Sequence, residues 1–406
     1  MAEHEIDVAT VRTLYPALRT GAAYLDGAAG TQVPQTVIDA IADAYRGGLG
    51  NAHGTFAASR RSDGIVTECR SAVADLVGGV PDGVFLGPNM TTLTYRLART
   101  LSRTWRPGDE IVVSRLDHDA NIRPWVQAAA DTGITVRWAD VDLPAGELPV
   151  DQYDDLLTDR TRLVTLPAAS NMIGTRPDVA GITAKAHAVG ALAFVDGVHA
   201  TPHVPVDVAA LGADFYATSA YKWCGPHIGA IIADPALLET LRPDKLVPSP
   251  DTVPERFETG TSPFADLAGV TAAVEHLASL VPGTGSRRDR VLASMAAAEA
   301  YEQELFQTLL KGLEANERVT LHGAPVRRTA TVYFSVAGHA ADDVAAAAAA
   351  RDVNVWSGHM YAWELAGALG VRDSGGAVRA GLVHYNDESD VDRLLTTIDA
   401  LTRSAR

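Results

Sequence analysis

Lys222 stands in the segment DFYATSAYKWCGPHIG, three residues after Ser219 and one after Tyr221, between an apolar run and a Gly-Pro turn. A lysine taken out of water there loses preference for its charged form and becomes an amine nucleophile and base. The segment ALAFVDGVHATPH sets Asp196 directly after another apolar run and follows it with His199 and His203. A carboxylate in that place can fix a protonated ring nitrogen. VFLGPNMTTLTYRLART reads as strand, turn and helix. A helix starting near Met90 and Thr91 presents free backbone N–H groups and hydroxyls, which suits a phosphate. VSRLDHDANIRPW offers His118, whose imidazole can stack on a flat ring.

Each residue also has an ordinary use. Thr91 can be a helix cap, Asp196 a capping residue beside partly buried histidines, Lys222 a solvated lysine and His118 a loop residue. Asp196, His199 and His203 can also be read as a metal site, against which Pro202 speaks by spoiling a helical His-x-x-x-His geometry. Phosphate donors, a pyridinium partner, a reactive lysine and a stacking ring have one common explanation, a pyridoxal 5′-phosphate site with no metal.

These residues need a frame that brings strand ends together. Apolar runs at 84–86, 111–114, 135–138, 163–166, 191–195, 215–218 and 230–233 alternate with helical patterns such as 179–189. Most are continuously apolar, as strands covered on both faces should be. The rhythm predicts an α/β fold with a mostly parallel sheet, whose ligands sit beyond the carboxyl ends of the strands. After Pro263 the pattern predicts helices at 264–280 and 287–315, strands at 329–335 and 378–381, and helices at 341–351 and 388–402. This reads as a smaller C-terminal α+β domain. The expected division is an N-terminal arm 1–20, a large domain 21–270, and a long helix with the small domain over 271–406.

The chain resembles the class V aminotransferase and cysteine desulfurase group of fold-type I pyridoxal phosphate enzymes. The resemblance runs from YLDGAAGTQVP at 24–34 to VRAGLVHYNDESDVDRL at 378–394, and Ser219-x-x-Lys222 is its most specific element. It implies that Lys222 carries the cofactor covalently and Ser219 binds phosphate. It implies that Asp196 pairs with the pyridine nitrogen, His199 lies near the phenolic oxygen and His118 stacks on the ring. Met90, Thr91 and Tyr221 fall among the cofactor contacts. SNMIGT brings in Asn171. FETGT matches a segment that reaches the phosphate of the other subunit, so Thr261 is expected in trans and the protein as a homodimer with shared active sites. VRAG implies that Arg379 holds the substrate carboxylate, with Ala29 and Tyr361 on the substrate side.

The departures bear on the reaction. Desulfurases carry a cysteine in a loop before the carboxylate arginine; this chain reads SGHMYAWEL, with Tyr361 at that place. Cys224, two residues after Lys222, is expected as a small buried residue, and Cys69 lies in a predicted helix. His199 replaces the usual Gln, and Tyr221 the usual His before the lysine. The leading reading is a C–S β-lyase acting on a cysteine-derived S-conjugate, which requires no cysteine nucleophile. Transamination, racemisation and decarboxylation-linked deamination share its first step. A metal-dependent hydrolase and a non-catalytic binding protein of the same fold are the readings from other classes.

Composition sets the outer bounds. The chain has 406 residues, 47% hydrophobic and 21% charged, the balance of a globular protein of about two domains. Its net charge of −16 argues against nucleic acid or an anionic membrane as partner. Two cysteines give no disulfide framework, the first residues lack an apolar leader, and no run approaches a membrane span. The expectation is a cytoplasmic enzyme with a small amino-acid substrate.

Overall fold

The computed structural model describes residues 5–404, so the first four residues of the expected arm and the last two of the span 271–406 lie outside it. Thirteen strands occur among the described residues. They are β1 (Ala23–Tyr24), β2 (Val84–Gly87), β3 (Glu110–Ser114), β4 (Thr135–Ala139), β5 (Thr161–Pro167), β6 (Leu192–Asp196) and β7 (Phe215–Ser219), then β8 (Gly229–Ala233), β9 (Val319–Leu321), β10 (Thr331–Val336), β11 (Val353–Asn354), β12 (Trp356–Gly358) and β13 (Ala377–Gly381).

Seven of them form one sheet in the order β2-β8-β7-β6-β5-β3-β4. Strands β3 to β7 pair in parallel, and β8 runs antiparallel to both of its neighbours. All seven apolar runs read from the sequence are strands of this sheet. The reason shows in the packing. Val112, Val164, Val195, Tyr216 and Ile232 enter one hydrophobic cluster, while Ile111, Val113, Leu163, Phe194, Phe215 and Ile231 enter another. Side chains alternate between two buried faces, so the runs are mostly apolar, with buried threonines such as Thr165 and Thr218 among them and Arg137 on the edge strand β4.

The first cluster is closed by the helices Ala57–Val77 and Phe264–Leu277, the second by Met90–Ser102 and Arg123–Thr132. The expected domain division near residue 270 falls inside Phe264–Leu277. A third cluster joins the helices Arg287–Glu314 and Glu388–Ser404 to a four-stranded antiparallel sheet of order β12-β13-β10-β9. Ala23 and Leu25, from the start of the chain, pack in it, and β1 pairs in parallel with β11.

Two glycines set the site's shape. A Cβ on Gly197 would lie 1.8 Å from Cζ of the buried Tyr216 ring, so the turn after Asp196 requires glycine. A Cβ on Gly229 would lie 2.2 Å from the Asn89 backbone, so β8 can approach the start of the helix Met90–Ser102 because it begins with glycine.

Candidate active site

The carboxyl ends of β6 and β7 bring Asp196 and Ser219 to the edge of one cavity, and the turn after β7 adds Tyr221 and Lys222. The cavity has two compartments with a common wall. The inner one is lined by Met90, Thr91, His118, Asn171, Asp196, His199, Ser219, Tyr221 and Lys222, together with Asn89 and Asp117. The outer one, of about 630 Å³, keeps Thr91, His118, Asn171, Tyr221 and Lys222 and adds Ala29, Tyr361 and Arg379. All nine expected inner residues therefore meet, as do the three expected on the substrate side.

Lys222 is buried, and its Nζ donates to the Ala28 carbonyl at 2.5 Å. Burial, followed by the nearby Arg379 guanidinium, lowers its pKa to about 7. Asp196 accepts from the Val198 N–H at 2.9 Å, and burial raises its pKa to about 6. A cationic N–H partner would favour its charged form. His118 accepts from the Ala120 N–H through Nδ1 at 3.0 Å, which leaves Nε2 to carry the proton of the neutral ring. The ring borders the cavity, yet protein surrounds it, and this burial lowers its pKa to about 3.

The helix Met90–Ser102 starts where the sequence predicts, but its cap is Asn89 rather than Thr91. Asn89 Oδ1 accepts from the Thr92 N–H at 2.8 Å, and Ser219 Oγ accepts from the Met90 N–H at 3.1 Å. Ser219 thereby ties the end of β7 to the first turn of the helix.

Three buried polar atoms on the inner wall, His199 Nδ1, Asn171 Oδ1 and Asp117 Oδ1, have no hydrogen-bond partner among the described residues. Unpartnered buried polar atoms are costly, and a polar ligand in this compartment would satisfy them. His199 Nε2 is shared by the hydroxyls of Thr329 and Thr331 at 3.0 and 3.1 Å, so the ring is held from the small sheet. Together with the buried carboxylate, the amine and the helix start, these groups fit pyridoxal phosphate.

Arg379, on β13, is buried and donates to the Asn171 carbonyl at 2.8 Å. Burial lowers its pKa to about 10, which leaves it charged at neutral pH. Asp26 was not singled out from sequence, yet it lies half-buried where Arg379 and Lys222 both act on its charge, and desolvation raises its pKa to about 6. Asp117 was also missed. Its Oδ2 accepts from Asn121 Nδ2 at 2.9 Å. Their local signals were slight: Asp117 adjoins His118 in DHDAN, and Asp26 lies within YLDGAAG.

Tyr361 is 69% exposed and stacks on His118, ring centroids 5.6 Å apart. It and Met360 both have positive φ, 55° and 53°. The Tyr361 carbonyl accepts from the Asp119 N–H at 2.7 Å, and Asn171 Nδ2 donates to the Met360 carbonyl at 2.7 Å. These bonds hold the strained pair against the rim.

Three expectations need adjustment. Thr261 is exposed and lines a separate groove with His53, Arg70 and Leu246, away from the Lys222 cavity of its own chain. The rival metal set is incomplete among the described residues: the His199 and His203 ring centroids lie 4.8 Å apart, but Asp196 does not converge with them. His203 Nδ1 is bonded to Glu302 Oε2 at 2.6 Å, and His199 to the two threonines. Cys224 is buried as expected, but its neighbours are polar. The Tyr15 hydroxyl contacts Cys224 Sγ at 3.3 Å, His276 Nε2 at 2.7 Å and His384 Nε2 at 2.8 Å. One hydroxyl can donate once and accept twice, so it can satisfy all three partners. Among the described residues, Cys224, His276 and His384 are the His, Cys or carboxylate groups close enough to share an ion.

A family model described as aminotransferase class-V matches residues 23–394. An uncharacterized protein of Mycobacterium tuberculosis is 38% identical over 397 residues, which cover 97% of this chain and 99% of that protein. A cysteine desulfurase of Dickeya dadantii is 32% identical over 398 residues, covering 94% and 92% respectively. Among solved structures, the Escherichia coli cysteine desulfurase CsdA has a TM-score of 0.87 and 28% identity, over 98% of this chain and 99% of that one. With that extent of likeness, and a site that fits the family's cofactor, the chain belongs to the class-V aminotransferase family and is a pyridoxal phosphate enzyme of the desulfurase-like, fold-type I kind.

Proposed function

We propose that this enzyme acts on an α-amino acid and cleaves the C–S bond of a cysteine-derived S-conjugate by β-elimination, without an enzyme persulfide. One observation carries the reading: the loop over the cavity offers Tyr361, and both cysteines are buried and lie outside the cavity lining. Burial pushes the Cys224 thiol up to about 11 and the Cys69 thiol higher still. Neither is a thiolate at neutral pH, so neither is a competent sulfur acceptor.

Bound pyridoxal phosphate supplies an electron-accepting ring. Asp196 would pair with that ring's protonated nitrogen, and the neutral His118 imidazole would stack on it. Met90, Thr91 and Ser219 receive the phosphate, His199 and Asn171 the polar edge, and Tyr221 the remaining wall. Arg379 would bind the α-carboxylate, ideally through two parallel N–H bonds, and so would orient the substrate's Cα in the cavity. The Lys222 amine would take the α-proton; a pKa of about 7 suits a base that must work near neutrality. Tyr361 sits at the rim, where its hydroxyl can donate a proton to a departing thiolate. Thr261 completes the phosphate site of a second copy in a homodimer. Two unpaired cysteines support a reducing cytoplasm as the compartment.

The test is turnover of S-conjugates by the Cys69→Ser, Cys224→Ser double variant, with thiol, 2-oxo acid and ammonia quantified. Turnover should stay within about twofold of the parent, since neither thiol lies in the site. Lys222→Ala should abolish it. A persulfide on Cys224 by mass spectrometry, with alanine as product, would restore the desulfurase reading. Pyridoxamine phosphate accumulating during turnover would replace the lyase reading with a transaminase.

A further inference from the structure

Trp356 and Arg379 are direct cross-strand partners of β12 and β13. Opposite residues of an antiparallel pair share one face of the sheet. The indole therefore stands beside the carboxylate-binding guanidinium, and it is 53% exposed on the outer compartment. Tyr361 at 69% and Tyr95 at 44% are the other large exposed rings on this wall, and Met360 lines it beside Tyr361. Large exposed aromatics gathered at one cavity mark a binding surface.

The charge on this wall is already neutralised. Arg123 pairs with Asp119, Nε to Oδ1 at 2.8 Å, and with Glu364, which also receives Arg115 at 3.3 Å. The guanidinium left without an acidic side-chain partner at the cavity is that of Arg379. Once a carboxylate lies on Arg379 and an amine on Lys222, the substrate's side chain has the ring-lined volume left to it. The whole outer compartment is about 630 Å³, the carboxylate and amine positions included, and it has more room than the CH₂SH of cysteine fills.

We infer that the substrate's side chain is bulky, uncharged and aromatic or long and apolar, and that Trp356 is the residue that selects it. The inference rests on the amino-acid reading above and does not depend on C–S cleavage. Its test uses holoenzyme and three amino acids without sulfur: L-norvaline, L-2-aminoadipate and L-homophenylalanine. Binding is read from the change in the cofactor's visible absorbance. Homophenylalanine should bind about tenfold tighter than the other two, or more. Trp356→Ala should cut that preference to about threefold or less, and Trp356→Phe should keep most of it, since a ring remains. Equal affinities, tighter binding of aminoadipate, or a preference that survives Trp356→Ala would overturn the inference while leaving the amino-acid reading intact. No absorbance change with any of the three would overturn both.

Discussion

The place of Lys222 sets how readily its amine gives up a proton. Burial removes the hydration that an ammonium needs, and Arg379 adds a like charge, so the amine is half free near pH 7. Attachment of pyridoxal phosphate to the apoprotein needs the free amine, so its rate should rise with pH and level off above about 7. Arg379→Gln removes the like charge. The profile should then move to higher pH, in stopped-flow absorbance, and amino-acid binding should weaken by roughly 2–5 kcal/mol. A profile that stays fixed or moves down would contradict the assigned coupling. The residues around Lys222 were legible because they follow apolar runs: Ser219 and Asp196 directly, and His118 four residues past the end of β3. Trp356 and Asp26 were not, because nothing local marks them. Trp356 gains its meaning from standing opposite Arg379, a pairing across two strands that share no sequence pattern.

At the level of elements, the central strands announced themselves as mostly apolar runs, and the long helices by their composition. The strands β1, β9, β11 and β12 did not, since two or three residues are too few to show a period of two. The turns that carry the chemistry depend on close approach instead. Gly197 is the sharpest case, because the Tyr216 ring that fills its missing side chain is buried and bonded to the Thr201 hydroxyl at 3.0 Å. Gly197→Ala should destabilise the protein by about 1–3 kcal/mol, measured by urea unfolding, and should loosen cofactor retention because Asp196 is the preceding residue. Unchanged stability would mean that Tyr216 can yield. Tyr15 shows what patterning could not reach. It comes from the start of the chain, yet its hydroxyl meets the turn of Lys222 through Cys224, whose own φ is 68° and whose N–H donates to Thr31 Oγ1 at 2.7 Å.

For the whole molecule, the open question of assembly turns on Thr261. It is exposed and faces away from its own cavity, in a groove whose rim carries Leu246, 66% exposed. A shared site predicts complementation. Lys222→Ala and Thr261→Ala homodimers should each be impaired, and mixing them through reversible dissociation should restore activity, because each hybrid holds one intact site. Failure to recover activity in verified hybrids, or a monomer by sedimentation, would refute the shared site. The fold class was legible from the strand–helix rhythm. The way its two ends meet was not, because contacts that span the chain leave no periodic trace.

That meeting has a consequence for biosynthesis. Arg12 donates to the Tyr385 carbonyl at 2.6 Å across 373 residues, and it pairs with Asp387 and Asp390. Arg379 and the β1–β11 pair also await the last part of the chain. A ribosome delivers the arm and the Lys222 turn long before these partners leave the exit tunnel. Loop closure over such distances comes late in folding. The nascent chain can therefore build its parallel sheet while the catalytic pocket is still half made. Acquisition of the cofactor should then be a post-release event, and chains stalled before residue 379 should emerge colourless.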